Sequence, residues 1–312
     1  MTAVEKSPAL SPSTERLIDA HVEILGSPEP EELAFLHAVL AQCSLPYREP
    51  PQGARDYIRE SGRVGLIVSS GYLMDPISKK PKLQGIPYGA KPRLLMIHLC
   101  TEAVRRKSPR IEVAGSMSAF MKELGLSVSG GKNGSIAMFK EQLNRLAAAR
   151  LQLIMSFDDR ASVMNPAPLI KQFDVWFPTD HRQRMLWPSE VTLSQDFFET
   201  LQQHALPIDP RSIRALQNSA RALDTYTWLA HRLPRVRKKS GDRVSWQALQ
   251  GQFGPDISDI KNFKRDMVQA LKQALTVYPR ARVEQVDGGL LLKKSAPPIA
   301  RKIFPAIGAR VG

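Results

Sequence analysis

Apolar positions recur along this chain with a helical period, and the runs break at Pro, Gly and clusters of small polar residues. After a tail containing Ser7, Pro8, Ser11 and Pro12, Ser13 or Thr14 is a candidate cap for a helix over Glu15–Leu25. A second helix is predicted over Pro30–Cys43. Proline stands at its first turn, Glu31 and Glu32 lie near its positive end, and Leu33, Phe35, Leu36, Val39 and Leu40 fall at helical spacing. Residues 44–90 are weakly periodic and read as an irregular region that packs on a neighbouring domain, with one strand around Val64–Val68.

The pattern sharpens from Lys91. A helix over Lys91–Arg106 buries Leu94, Leu95, Ile97, Leu99 and Val104, and Ile111 and Val113 form a short extended piece. Ser116 caps a helix over Met117–Leu124 that Gly125 ends. A longer helix, Ser135–Arg150, carries Ile136, Phe139, Leu143 and Leu146 on one side. The alternating LQLIMSF then reads as a strand, followed after a long loop by a second at Phe173–Phe177. Helix, short strand, helix, turn, helix, strand, loop, strand is the order of a winged helix-turn-helix, whose second turn helix lies in the major groove.

The order comes round again. Helix Ser194–His204 closes the first series, and helices follow over Arg211–Gln217 and Ala220–Leu233. A strand at Arg243–Ser245, a helix at Trp246–Phe253 stopped by Gly254, a long helix at Ile257–Thr276 and a hairpin across Asp287-Gly288-Gly289 complete it. Tyr226, Trp228 and Trp246 read as core. The expected fold is α+β, mainly helical: tandem winged helix-turn-helix domains with an N-terminal helical extension. The expected divisions are an extension over 1–44, a first winged domain with its preceding irregular segment over 45–204, a second over 205–295, and a basic flexible tail over 296–312.

Charge turns this architecture toward a ligand. The 312 residues hold 44 Lys and Arg against 30 Asp and Glu, a net of +14. Residues 1–89 carry 9 basic and 11 acidic side chains, residues 90–204 carry 15 and 11, and residues 205–312 carry 20 and 8, so the last third holds +12 of the surplus. A basic surplus concentrated where a helix can present it predicts nucleic acid. No run reaches the roughly 18 apolar residues of a membrane span, and the N-terminus lacks the pattern of an export signal. With two cysteines, Cys43 and Cys100, and no disulfide framework, the reading is a soluble cytoplasmic protein.

The expected DNA-contacting residues lie on the two long helices and one loop. From the first helix and the turn before it come Lys132, Asn133, Ser135, Lys140, Asn144 and Arg145. From the second come Lys261, Asn262, Lys264, Arg265 and Gln269. Lys and Arg read guanine, and Asn and Gln read adenine. Arg235, Arg237, Lys238, Lys239 and Arg243 supply positive charge from a loop and suit phosphates. Catalytic signals are weak. In SGGKNGS the Walker spacing fails, because Leu126 stands where the first glycine belongs and Asn133 follows Lys132. The six histidines make no metal spacing with the cysteines, and no clustered carboxylates with a partnered base emerge. Neither cofactor nor metal nor enzymatic activity is expected.

From Leu45 to Asp180 the chain resembles the plasmid-encoded RepA family of replication initiators. The pattern GxPYGxxPRLL, then SxxxFxxxLGL, then a GGxxG turn carries the likeness. The resemblance implies a protein that binds repeated double-stranded sites (iterons) in a plasmid origin, promotes opening of adjacent AT-rich DNA, and recruits a host initiator and replicative helicase. It also implies monomers on repeats and a homodimer in autoregulation. Pro87, Tyr88, Gly89, Lys91, Pro92 and Arg93 would set the entry to the first winged domain, and Gly125, Gly130, Gly131 and Gly134 would shape its turn. The alternatives are a sequence-specific repressor that does not open the origin and a metal-dependent DNA-nicking enzyme. For residues 1–44, self-association, a host-protein contact and simple packing all stay open.

Overall fold

The computed structural model describes residues 10–299 except 28, 76–77, 114–115, 132–133, 158–159, 164–166 and 174–189. Helix α1 (Pro12–Gly26) is capped by Ser11, whose hydroxyl accepts from Thr14 N at 3.2 Å, with Pro12 in the first turn. The cap therefore sits two residues ahead of the expected Ser13. The helix expected over Pro30–Cys43 does not form. Strand β1 (Ala34–His37) stands there, followed by a tight turn through Cys43. Its four residues are all buried, so the period that separates strand from helix is missing from the local sequence. The strand is decided by distant partners: β12 (Ala205–Ile208) pairs with it, and Thr101 Oγ1 accepts from Phe35 N at 2.9 Å.

The region expected to be irregular holds two antiparallel sheets. Strands β2 (Asp56–Ser61) and β3 (Val64–Ser69) join β7 (Arg150–Phe157) and β8 (Arg160–Val163), with β9 (Ala167–Pro168) also on β7. Strands β4 (Tyr72–Met74) and β5 (Pro81–Leu83) form a separate ribbon. Helix α2 (Ala90–Arg106) runs through the centre and is buried on almost every side, against β1, strand β6 (Arg110–Glu112) and helices on both flanks.

Helices α3 (Met117–Glu123) and α4 (Ser135–Ala148) follow, α3 capped by Ser116 and ended at Gly125, whose φ of +75° suits glycine. Strand β7 was expected to form the wing and does not. It pairs with β3, and the wing is β10 (Ile170–Phe173) with β11 (Glu190–Leu193), the latter paired to β6. Trp176 and Phe177, the end of the expected second strand, lie outside the described residues.

Beyond α5 (Gln195–His204) and β12 come α6 (Pro210–Leu216), α7 (Ala220–Arg232), a 3-10 turn at Leu233–Arg235, β13 (Asp242–Ser245), α8 (Trp246–Phe253), α9 (Ile260–Thr276), β14 (Arg282–Val286) and β15 (Gly289–Lys293). The sheet orders coincide: β6–β11–β10 in the first unit, β13–β15–β14 in the second. In each, the strand before the turn helices pairs with the last strand of the wing. The fold is α+β with tandem winged-helix units and an N-terminal helix, α1, that packs on α6 and α9. His21 Nδ1 donates to Thr276 O at 2.6 Å, and Arg211 Nη1 donates to Ser27 O at 2.7 Å, so both ends of this contact are polar and specific. Residues at the start of the expected tail pack down: Tyr278 Oη donates to Ala296 O at 2.6 Å, and Ile299 is buried.

Candidate nucleic-acid interface

In the second unit, α8 and α9 form the helix pair. Phe263, Met267, Ala270, Leu271 and Ala274 are buried on the inner side of α9. The turn between them needs Gly254, because a Cβ there would meet the Phe263 ring at 2.3 Å. Asp259 caps α9 by accepting from Lys261 N at 2.7 Å and from Asn262 Nδ2 at 3.2 Å. Lys261, Asn262, Arg265, Gln269 and Lys272 are exposed on the far side. Lys264 is half-buried, with its ammonium 5.7 Å from the Trp246 ring centre. A helix with a fully apolar underside and an outer row of Lys, Asn, Arg and Gln carries donors for both phosphates and base edges.

Arg265 is held from within its own helix. Its Nε donates to Asp266 Oδ1 at 3.2 Å, while Asp266 Oδ2 accepts from Arg221 Nη1 of α7 at 3.1 Å. Sequence reasoning missed Asp266, an acid that fixes the position of Arg265. In the loop ahead of β13, Arg237, Lys238 and Lys239 are exposed, as is Arg243 within the strand. Arg235 is exposed too, with its Nη1 donating to His231 O at 2.6 Å.

The first unit presents a different surface. Lys132 and Asn133 lie outside the described residues. Ser135 ties the turn together, its hydroxyl accepting from Ser129 N at 2.8 Å and donating to Ser127 O at 2.8 Å. Lys140 is half-buried, and burial lowers its pKa. Asn144 is half-buried, with its Oδ1 enclosed. Arg145, expected to face DNA, is turned inward. Its guanidinium pairs with Glu49 and with Glu141 at 2.5 Å, lies 5.0 Å from the Tyr88 ring centre, and leaves 12% of the side chain exposed. Two carboxylates and an aromatic face hold it there. Met138 and Glu141 are the exposed side chains of α4.

The sequence pattern of the plasmid encoded RepA protein family matches residues 86–248. The chain belongs to that family. The match takes in the first winged unit of this RepA family member and the second as far as the start of α8, so α9 lies beyond it. No curated protein matches the chain. Among solved structures, the crystal structure of selenomethionine derivatives of domains 2 and 3 of RctB superimposes with a TM-score of 0.50 at 11% identity, over 82% of this chain and 96% of that one. At that identity the likeness is one of fold. It extends over both winged units.

Proposed function

We propose that this RepA family member is a plasmid replication initiator that binds repeated double-stranded sites at its origin, with α9 as its principal reading helix. The exposed row Lys261, Asn262, Arg265 and Gln269, mounted on a buried apolar stripe, is the observation that carries this reading. Arg265 and Asn262 suit base edges, while Lys261, Lys264, the loop cations Arg237, Lys238 and Lys239, and Arg243 of β13 suit phosphates. Its work is binding rather than catalysis. In the same reading it opens adjacent AT-rich DNA, draws in a host initiator and replicative helicase, and works as monomers on repeats and as a dimer on its own promoter. The functional divisions are 1–44, 45–204, 205–295 and 296–312, with α4, Lys132 and Asn133 making a second, lesser contact.

Footprinting on the plasmid's own origin, with chemical detection of unpaired bases, tests the proposal. Protection of a repeated element together with reactive bases in a neighbouring AT-rich stretch is the expected result. Protection without unpaired bases would leave a repressor in place of an initiator, and no protected repeat would overturn both.

A further inference from the structure

Between β3 and α2 the chain makes an excursion that the core does not use. Among the described residues, strands β4 and β5 pair only with each other, and a two-stranded ribbon standing alone in water is marginal. This one buries little. Tyr72 is 55% and Met74 61% exposed, Lys79, Lys80 and Lys82 are exposed, and among its described apolar side chains only Leu73 and Leu83 are half-covered. Lys79 adopts φ +53°, a left-handed conformation that glycine or asparagine takes at less cost. The turn therefore keeps a lysine where local conformation argues against one.

The register sorts the side chains. Tyr72 stands opposite Leu83, Leu73 opposite Lys82 and Met74 opposite Pro81. Opposed residues share a face and faces alternate along a strand, so Tyr72 and Met74 lie on one side and Lys82 on the other. Asp75 N donating to Lys80 O at 2.9 Å extends the ladder and puts Lys80 with Lys82. Arg55 steadies the aromatic side, with its Nη1 donating to Tyr72 Oη at 3.1 Å and its guanidinium 5.5 Å from the ring centre. At the root, a Cβ on Gly71 would fall 1.9 Å from Ala148 O, so the ribbon springs from the C-terminal end of α4.

A slender two-stranded ribbon fits the major groove of duplex DNA, about 12 Å wide. Its lysine side suits a phosphate wall, and its tyrosine and methionine suit sugars and thymine methyls. We infer that the β4–β5 ribbon is a further DNA contact, entering the duplex beside α4, with Lys79, Lys80 and Lys82 on phosphates and Tyr72, held by Arg55, on the apolar edge of the groove. This inference rests on the DNA-binding reading above. It gives the first unit the cationic surface that α4 lacks.

The test uses the full chain, fluorescence anisotropy, and two probes of equal length: a random-sequence 40-base-pair duplex pool and the corresponding single strands. Each is titrated between 50 and 200 mM salt. Replacing Lys79, Lys80 and Lys82 with Ala is expected to lower the slope of log affinity against log salt for the duplex by about 2–3, at about 0.9 per phosphate contact. Tyr72→Ala is expected to weaken duplex binding with the slope unchanged. Lys80→Gln with Lys82→Gln, which spares the Lys79 backbone, is expected to lower the slope by about 2. Wild-type melting temperatures in all variants are expected, since these side chains are exposed. Unchanged slopes in the lysine variants, beside normal wild-type binding, overturn the ribbon contact and leave the DNA-binding reading standing. A loss seen only with single strands overturns the groove assignment. Absence of duplex binding by the wild type overturns both.

Discussion

Arg93 of α2 and Asp224 of α7 are joined by two parallel hydrogen bonds, Nε to Oδ1 and Nη2 to Oδ2, each 2.8 Å long, with both side chains buried. The pair ties the central helix of the first winged unit to α7 of the second. The remaining guanidinium hydrogens go to the carbonyls of Leu45, Pro46 and Gly89. The Tyr47 ring is held between Arg93 and Arg221, 4.9 and 4.8 Å from its centre. Arg221 in turn holds Asp266 on α9. A continuous run of contacts therefore links the family motif around Arg93 to α9.

Removing one partner of this pair leaves a buried charge uncompensated. Asp224→Asn and Arg93→Ala are each expected to lower unfolding free energy by about 3–5 kcal/mol, read from urea denaturation. The double change Arg93→Met with Asp224→Leu is expected to cost less than the sum of the singles, because it removes both charges together.

Arg265 and Lys261 are expected to behave differently in selection from a randomised duplex pool. Arg265→Ala relaxes preference at a guanine, losing about 1–3 kcal/mol of discrimination. Lys261→Ala weakens all sequences alike and lowers the salt slope by about 0.9. Asp266→Asn is expected to blunt the same guanine preference as Arg265→Ala, because it loosens the arginine and frees Arg221. Selected sites identical to wild type for the Arg265 variant would remove that residue from base reading.

Gly254→Ala sets a methyl against the Phe263 ring at the start of α9. Overpacking of this kind costs about 1–3 kcal/mol. The expected outcome is a lower denaturation midpoint together with weaker duplex binding, since Phe263 is the inner anchor of the helix whose outer face is the proposed DNA contact. Gly251, with open space around its Cβ position, serves as the control.

Two histidines make the fold acid-sensitive. Burial, with His204 nearby, lowers the pKa of His37 to about 3, and burial with Arg235 and Arg232 lowers that of His231 to about 4. Both are depressed below the ordinary value of 6.5, so below that pH the unfolded chain binds more protons than the folded one. Stability is full above pH 6.5 and is lost as pH falls toward 4, by about 1.4 kcal/mol per pH unit for each histidine. Urea midpoints measured from pH 7 to pH 4 check this, and His37→Gln is expected to flatten the profile.

The local elements were legible where one helix face is apolar and a cap or glycine closes the end. Ser116 and Gly125 bracket α3, and the buried stripe of Phe263, Met267 and Leu271 in α9 follows the periodicity of its sequence, although the helix, capped by Asp259, begins three residues inside its expected start at Ile257. The short strands were not legible in the same way. Ala34–His37 is apolar throughout and fits either period, and the choice fell to a partner at Ala205–Ile208. Arg145 illustrates the same limit for a site residue. Helical position set it off the apolar stripe, yet Glu49, 96 residues away, turned it inward.

Helix positions, caps, the repeated order of elements, the charge gradient and the family motif are written in neighbouring residues, because a helix closes its hydrogen bonds within itself. Strand partners are not, because a strand completes its bonds only on another segment. Tertiary structure alone decided that β7 joins β3 while β11 joins β6, that Arg93 meets Asp224 across 131 residues, and that the cations of α9 stay outside while Arg145 does not. The physical reason is common to all three. Burial and pairing between distant segments override local pattern wherever a side chain has more than one surface to face.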